Sequence, residues 1–167
     1  MILPVLFLAA VLPRSEISWN PSLLARDGLA QGTRFVEGVL SLDSSVGTAA
    51  RRGSFTSPPL ATSFDAQYFG VLFEAYVPEG TSLKLEIRHQ TAEGSWAPWR
   101  VMDHLDVLAD HEETPPEKRK YLSQGPIIES RGIRAIQWRV LLNSLDGKAV
   151  PALKELRLLY ADTRNRN

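Results

Sequence analysis

Ser82-Leu83-Lys84-Leu85-Glu86-Ile87-Arg88, with Gly94-Ser95-Trp96-Ala97-Pro98-Trp99-Arg100 shortly after it, decides the fold class of this chain. In the first stretch Leu83, Leu85 and Ile87 alternate with Lys84, Glu86 and Arg88. Successive side chains of a strand point to opposite faces, so a period of two predicts a strand with one buried face. The second stretch opens on a Gly-Ser turn signal and brings the chain back with two tryptophans, which reads as a hairpin.

Working outward, the same alternation recurs. Val71, Phe73, Ala75 and Val77 share one face of residues 67–77; Ile136, Trp138, Val140 and Leu142 share one face of residues 136–142; Leu156, Leu158 and Tyr160 do so near the end. Residues 34–42 offer Phe35, Val39 and Leu40 to a core, and residues 50–56 run into Ser57-Pro58-Pro59, where proline has no N–H for a ladder. No amphipathic run of helix length competes. About seven or eight strands separated by turn signals such as Pro78-Glu79-Gly80 and Asp146-Gly147 predict an all-β chain, a β-sandwich of jelly-roll type.

The flanks divide the chain further. Residues 1–13 are almost wholly apolar, too short for a bilayer span of about 20 residues but matching the roughly 7–15-residue apolar core of a secretory signal. No basic residue precedes that run and no A-x-A site follows it, and the competing reading is a hydrophobic first strand bounded by Pro4 and Pro13. An exported, secreted or cell-surface protein is expected. Residues 14–33 read as an irregular lead-in with room for a short helix over 22–29, residues 34–162 as the sandwich, and the polar residues 163–167 as a frayed end or the start of a linker. Residues 106–125 are the longest interruption, with Thr114-Pro115-Pro116-Glu117 in the form of a capping box.

Composition narrows the function. Nineteen basic and 19 acidic side chains cancel, where a nucleic-acid binder shows a basic excess on one face. The chain has no cysteine, which excludes disulfides and thiolate chemistry. Its three histidines, His89, His104 and His111, fit no helical zinc motif, and no G-x-S-x-G elbow is present. Asp103, Asp106 and Asp110, beside His104 and His111-Glu112, form the one local cluster of oxygen ligands; if it holds a metal, calcium suits it, and otherwise the loop is simply solvated. No cofactor is expected. Paired carboxylates for glycoside hydrolysis are not selected by any pattern, so the chain reads as a non-enzyme.

Binding chemistry is better represented. Trp96 and Trp99 lie beside a turn with Arg88 and Arg100 close in sequence, and flat indole faces stack on sugar rings while arginine and amide groups meet hydroxyls. Gln137 and Arg139 alternate with core positions, as do Lys84, Glu86 and Arg88. If those two strands are neighbours, they form one polar face, either a saccharide-reading surface or a solvated face with cross-strand ion pairs. The competing role for both tryptophans is to cap the core.

Gly53-Ser54-Phe55-Thr56-Ser57-Pro58-Pro59, residues 69–77, Pro78-Glu79-Gly80-Thr81, the strand ending in Arg88, Trp96-Ala97-Pro98-Trp99, Ile136-Gln137-Trp138-Arg139 and Pro151-Ala152-Leu153 follow one another in a familiar layout. Over residues 53–162 the chain resembles the N-terminal β-sandwich module of secreted bacterial N-acetylmuramoyl-L-alanine amidases, and more loosely the galactose-binding-like jelly rolls. That resemblance implies an accessory domain set before a catalytic domain whose zinc-binding residues have no counterpart here. The expected function is recognition of cell-wall or other surface polysaccharide, such as peptidoglycan, on behalf of a linked or separate hydrolase. The alternative is a structural module that packs against a partner domain and takes no small ligand; a hydrolase using unassigned carboxylates is a third reading.

Overall fold

In the computed structural model, residues 14–44, 50–107 and 120–163 are described. The apolar segment 1–13, the capping pattern at 114–117, Asp110, His111 and Glu112, and most of the polar tail lie outside them. In chain order the elements are β1 (Arg14–Ile17), α1 (Pro21–Asp27), β2 (Leu29–Gln31), β3 (Thr33–Val36), β4 (Val39–Leu42), β5 (Arg52–Thr56), β6 (Leu60–Tyr76), β7 (Thr81–Gln90), β8 (Arg100–Val107), β9 (Lys120–Gln124), β10 (Ile128–Ser144) and β11 (Ala152–Ala161). Seven of these strands are five residues or longer, and the other four are short pieces that complete the edges.

Every pairing is antiparallel. One layer runs β8-β7-β10-β5-β2. The other runs β9-β6-β11-β4-β3, with β1 on the same edge of β11 as β4. The two 17-residue strands β6 and β10 join the layers: they pair through their first halves, from Leu60↔Ile136 to Phe69↔Ile128, and then part into opposite sheets. A register shift between Glu129 and Ile133 bends β10 at this corner, where Gly132 takes φ +65°. The result is an all-β sandwich of jelly-roll type.

The inner faces are those that the alternation predicts. Phe69, Val71, Phe73 and Ala75 of β6, Leu83, Leu85 and Ile87 of β7, Trp138, Val140 and Leu142 of β10, and Leu156, Leu158 and Tyr160 of β11 are all buried. Each large apolar side chain removed from water contributes about 1.5–3 kcal/mol. Trp138 is the largest of the fully buried side chains, and its ring lies 5.3 Å from Phe55 and 5.8 Å from Trp19.

Residues 14–33 are more ordered than an irregular lead-in. β1 pairs with β11 from Arg14↔Ala161 to Ile17↔Leu158, so Arg14–Ile17 belongs to the sheet. The helix falls at Pro21–Asp27, with the Asn20 Oδ1 accepting from the Leu23 N–H at 3.1 Å and Leu24 buried beneath it. Trp19 closes that end of the core, its indole N–H donating to the Gly38 carbonyl at 3.0 Å. These pieces lacked a sequence signal because β1 and β2 are four and three residues long. Their ladders are specified by the partner strand, not by a period of their own. Ser57-Pro58-Pro59 does end β5, at Thr56, as proline requires.

Replacing Trp138 with alanine empties the centre of the aromatic cluster and is expected to cost about 3–5 kcal/mol in urea unfolding. A loss under about 1 kcal/mol would contradict the placement of Trp138 at the core.

Candidate functional site

The candidate site is built on the outer face of the sheet that contains β7 and β10. Their register sets Arg88 opposite Gln137, Glu86 opposite Arg139 and Lys84 opposite Leu141. Because the inward partners of these residues are Leu83, Leu85, Ile87, Trp138, Val140 and Leu142, all six polar-face positions point away from the core. The two strands whose pairing was conditional in sequence are direct neighbours.

The chain then folds back over this face. A tight turn bonds the Gly94 N–H to the Thr91 carbonyl at 3.0 Å, with Gly94 at φ +84°. Beyond it Trp96 bridges Gln90, and the Ala97 N–H donates to the His89 carbonyl at 2.9 Å. The turn rests on the β10 corner: a Cβ added at Gly132 would stand 2.7 Å from Ala92 Cβ, so only glycine allows this approach. Trp96 and Trp99 are thereby set, half-buried, above β7.

Cations and rings alternate there. The Arg88 guanidinium lies 4.8 Å from the Trp96 ring and 4.5 Å from the Trp99 ring. Arg139 lies 4.5 Å from the Trp99 ring. Trp99 thus meets two guanidinium groups and Trp96 one. Trp96 has Arg88 on one face and, among the described residues, no ring or cation on the other. Each such contact is worth about 0.5–2 kcal/mol, more as water is excluded.

Polar contacts fix the ladder below. The Arg88 Nε–H donates to Gln137 Oε1 at 2.8 Å, and the Gln137 amide donates to the Ser57 carbonyl at 2.8 Å. Ser57 is itself held, its hydroxyl oxygen accepting the Trp138 N–H at 3.1 Å and its N–H bonded to the Trp138 carbonyl at 2.9 Å. Arg139 pairs with Glu86 Oε2, and Lys84 reaches Glu86 Oε1 at 3.1 Å. Burial by itself pushes the Glu86 carboxyl up, but the hydrogen bonds and charges of Arg139 and Lys84 outweigh it and hold the group below its ordinary 4.5. Glu86 is thus an ionised, doubly engaged carboxylate. No second carboxylate stands in the ladder, which is not the paired arrangement that glycoside hydrolysis uses.

Of the residues singled out in sequence, Arg88, Trp96, Trp99, Gln137 and Arg139 come together. Arg100 does not join the ladder: it is exposed opposite Ile87. Its charge is felt at His89, whose imidazole is pushed down first by burial and then by Arg100. That ring is inward, 2.9 Å from the Ser130 hydroxyl and 5.5 Å from Phe69, so it is a satisfied core histidine. Asp103 and Asp106 stand opposite Leu85, an inward position, and Ser82, an outward one. The Asp103 carboxylate accepts the His104 N–H at 2.8 Å. No group of three metal-ligating side chains occurs among the described residues. Glu86, Lys84 and Ser57 belong to the site without having been singled out as ligand groups. Alternation had put Lys84 and Glu86 on the Arg88 face, but the register that gives them Arg139 had no sequence signal.

The opposite sheet carries a different feature, an apolar groove of about 520 Å³ between Tyr68, Leu72, Ile127 and Leu159, floored by Gly70 and Ala161. No helix among the described residues is long and apolar enough to cross a membrane.

No protein-family model matches the chain, and no curated protein is similar to it in sequence. Solved structures are similar in fold. A xylan-binding module, CBM15, is 7% identical with a TM-score of 0.55, over 90% of this chain and 99% of that one. A structure of the infectious bursal disease virus Gx strain is 10% identical with a TM-score of 0.53, over 92% of this chain but only 33% of that chain. This chain therefore spans about a third of the viral one. At such identities the likeness is one of fold, and neither match bears on the amidase association.

Since the folded-state value of Glu86 lies below its unfolded one, its contribution to stability is complete above about pH 4.5 and is lost as pH falls through the folded value. Melting temperature followed from neutral to acid pH should therefore fall more steeply below pH 4.5 in the wild type than in Glu86→Gln. Parallel curves would show that the Arg139–Glu86–Lys84 cluster adds no stability.

Proposed function

We propose that this chain is a non-catalytic carbohydrate-binding module of an exported protein, recognising cell-wall or other surface polysaccharide in the service of a hydrolase. The observation that carries this reading is Trp96: a half-buried indole stacked with Arg88, an arginine whose orientation Gln137 fixes. The indole offers a sugar ring apolar contact, and the terminal nitrogens of Arg88 offer hydrogen bonds to its hydroxyls. Trp99, in contact with both Arg88 and Arg139, acts as the spacer that holds the arginines. The fold likeness to a xylan-binding module supports the reading without choosing the polymer. Peptidoglycan remains the proposed wall target, on the strength of the sequence resemblance alone. The competing reading, a module packed against a partner domain, would draw on the apolar groove of the other sheet instead.

Co-sedimentation with insoluble xylan, cellulose, chitin and peptidoglycan separates these. The wild type should be retained on at least one polymer, and Trp96→Ala, melting like the wild type, should bind it on the order of tenfold more weakly. Retention on no polymer, or a Trp96→Ala variant that binds as well as the wild type, would sink the proposed site.

A further inference from the structure

We infer that the saccharide this face receives bears a carboxylate, and that the Arg88 guanidinium is the group that pairs with it. The inference rests on the carbohydrate-binding reading and adds the charge of the ligand. Arginine has five N–H donors in a planar fork. One of Arg88's, on Nε, is used by Gln137 Oε1. Its two terminal nitrogens make no hydrogen bond or ion pair to any described residue. The other cations of the ladder, Arg139 and Lys84, are both committed to Glu86. Two arginines and a lysine thus meet a single carboxylate, which leaves the ladder positive, and Arg88 is the cation of the three that is not paired with Glu86.

The surroundings suit that charge to an anion rather than to water. Trp96 and Trp99 hold the guanidinium between their rings, which restricts its rotamers before any ligand arrives and removes part of its hydration. A planar fork with two free terminal nitrogens matches the two oxygens of a carboxylate in a bidentate pair, stronger than a hydrogen bond to a neutral hydroxyl. The Trp96 ring next to the fork would take the sugar from which the carboxylate projects. The ligand class is therefore a carboxylate-bearing pyranose, whether a uronic acid or a sugar whose lactyl ether carboxyl is free of a stem peptide.

Affinity of the whole chain for polygalacturonate, for its methyl ester and for neutral xylan tests this with one ring chemistry in charged and uncharged form. The expected result is binding to polygalacturonate that weakens about tenfold or more on esterification. Arg88→Lys, which keeps the charge but not the fork, should lose most of that difference while melting like the wild type. Equal binding of acid and ester would overturn the carboxylate inference and leave the carbohydrate-binding reading standing. Binding to none of these and none to peptidoglycan would overturn both. If peptidoglycan alone is held, glycan strands freed of stem peptides decide: binding that is lost when their lactyl carboxyls are amidated supports the inference with the wall as source, and unchanged binding overturns it.

Discussion

Strand β10 meets β7 in ten consecutive antiparallel pairs, from Ala135↔Gln90 to Ser144↔Thr81, without a bulge. This register fixes two things at once. It turns Trp138, Val140 and Leu142 into the sandwich with Leu83, Leu85 and Ile87, and it stacks Gln137 and Arg139 beside Arg88 and Glu86 on the outside. A slip of one residue would send the apolar set to solvent and bury the charged set, so the core enforces the register and the register assembles the outer face. The tryptophan–arginine ladder is in this sense a consequence of core packing. Its remaining ingredient is the return of the chain over β7, which depends on the close approach of Ala92 to Gly132 at the corner of β10.

That arrangement divides labour between two tryptophans three positions apart. Trp99 meets both Arg88 and Arg139, whereas Trp96 meets Arg88 alone and is the one proposed to receive a ligand. The same division holds among the cations. Arg139 and Lys84 both pair with Glu86, whereas the two terminal nitrogens of Arg88 have no hydrogen-bond partner among the described residues. Fold alone would not have separated these roles, since the same sandwich is similar to a xylan-binding module and to part of a viral structural chain. What distinguishes them is which polar groups remain unsatisfied on the outer sheet.

The period of two made the long strands legible: Leu83 to Arg88, Ile136 to Leu142 and Leu156 to Tyr160 all present the predicted faces. The aromatic and basic residues of the site were legible as types for the same reason. Their partnership was not, because it depends on which strand lies beside β7 and on how the nine residues between Gln90 and Arg100 travel, neither of which leaves a periodic trace. β1 and β2 were hidden for a related cause, being too short to show a period and held by neighbours. The aspartates of β8 mislead in the opposite direction. Asp103 and Asp106 are close in sequence, yet their spacing of three along a regular ladder sets them opposite an inward and an outward position.

The central claim is that Trp96, alone among the four tryptophans, presents a face to a saccharide. Indole N–H resonances followed by NMR during titration with a soluble oligosaccharide of the retained polymer test it most directly. The account expects the Trp96 signal to move progressively, Trp99 to follow weakly through Arg88, and buried Trp138 and Trp19 to stay in place. Saturation of binding with the Trp96 signal unmoved would contradict it.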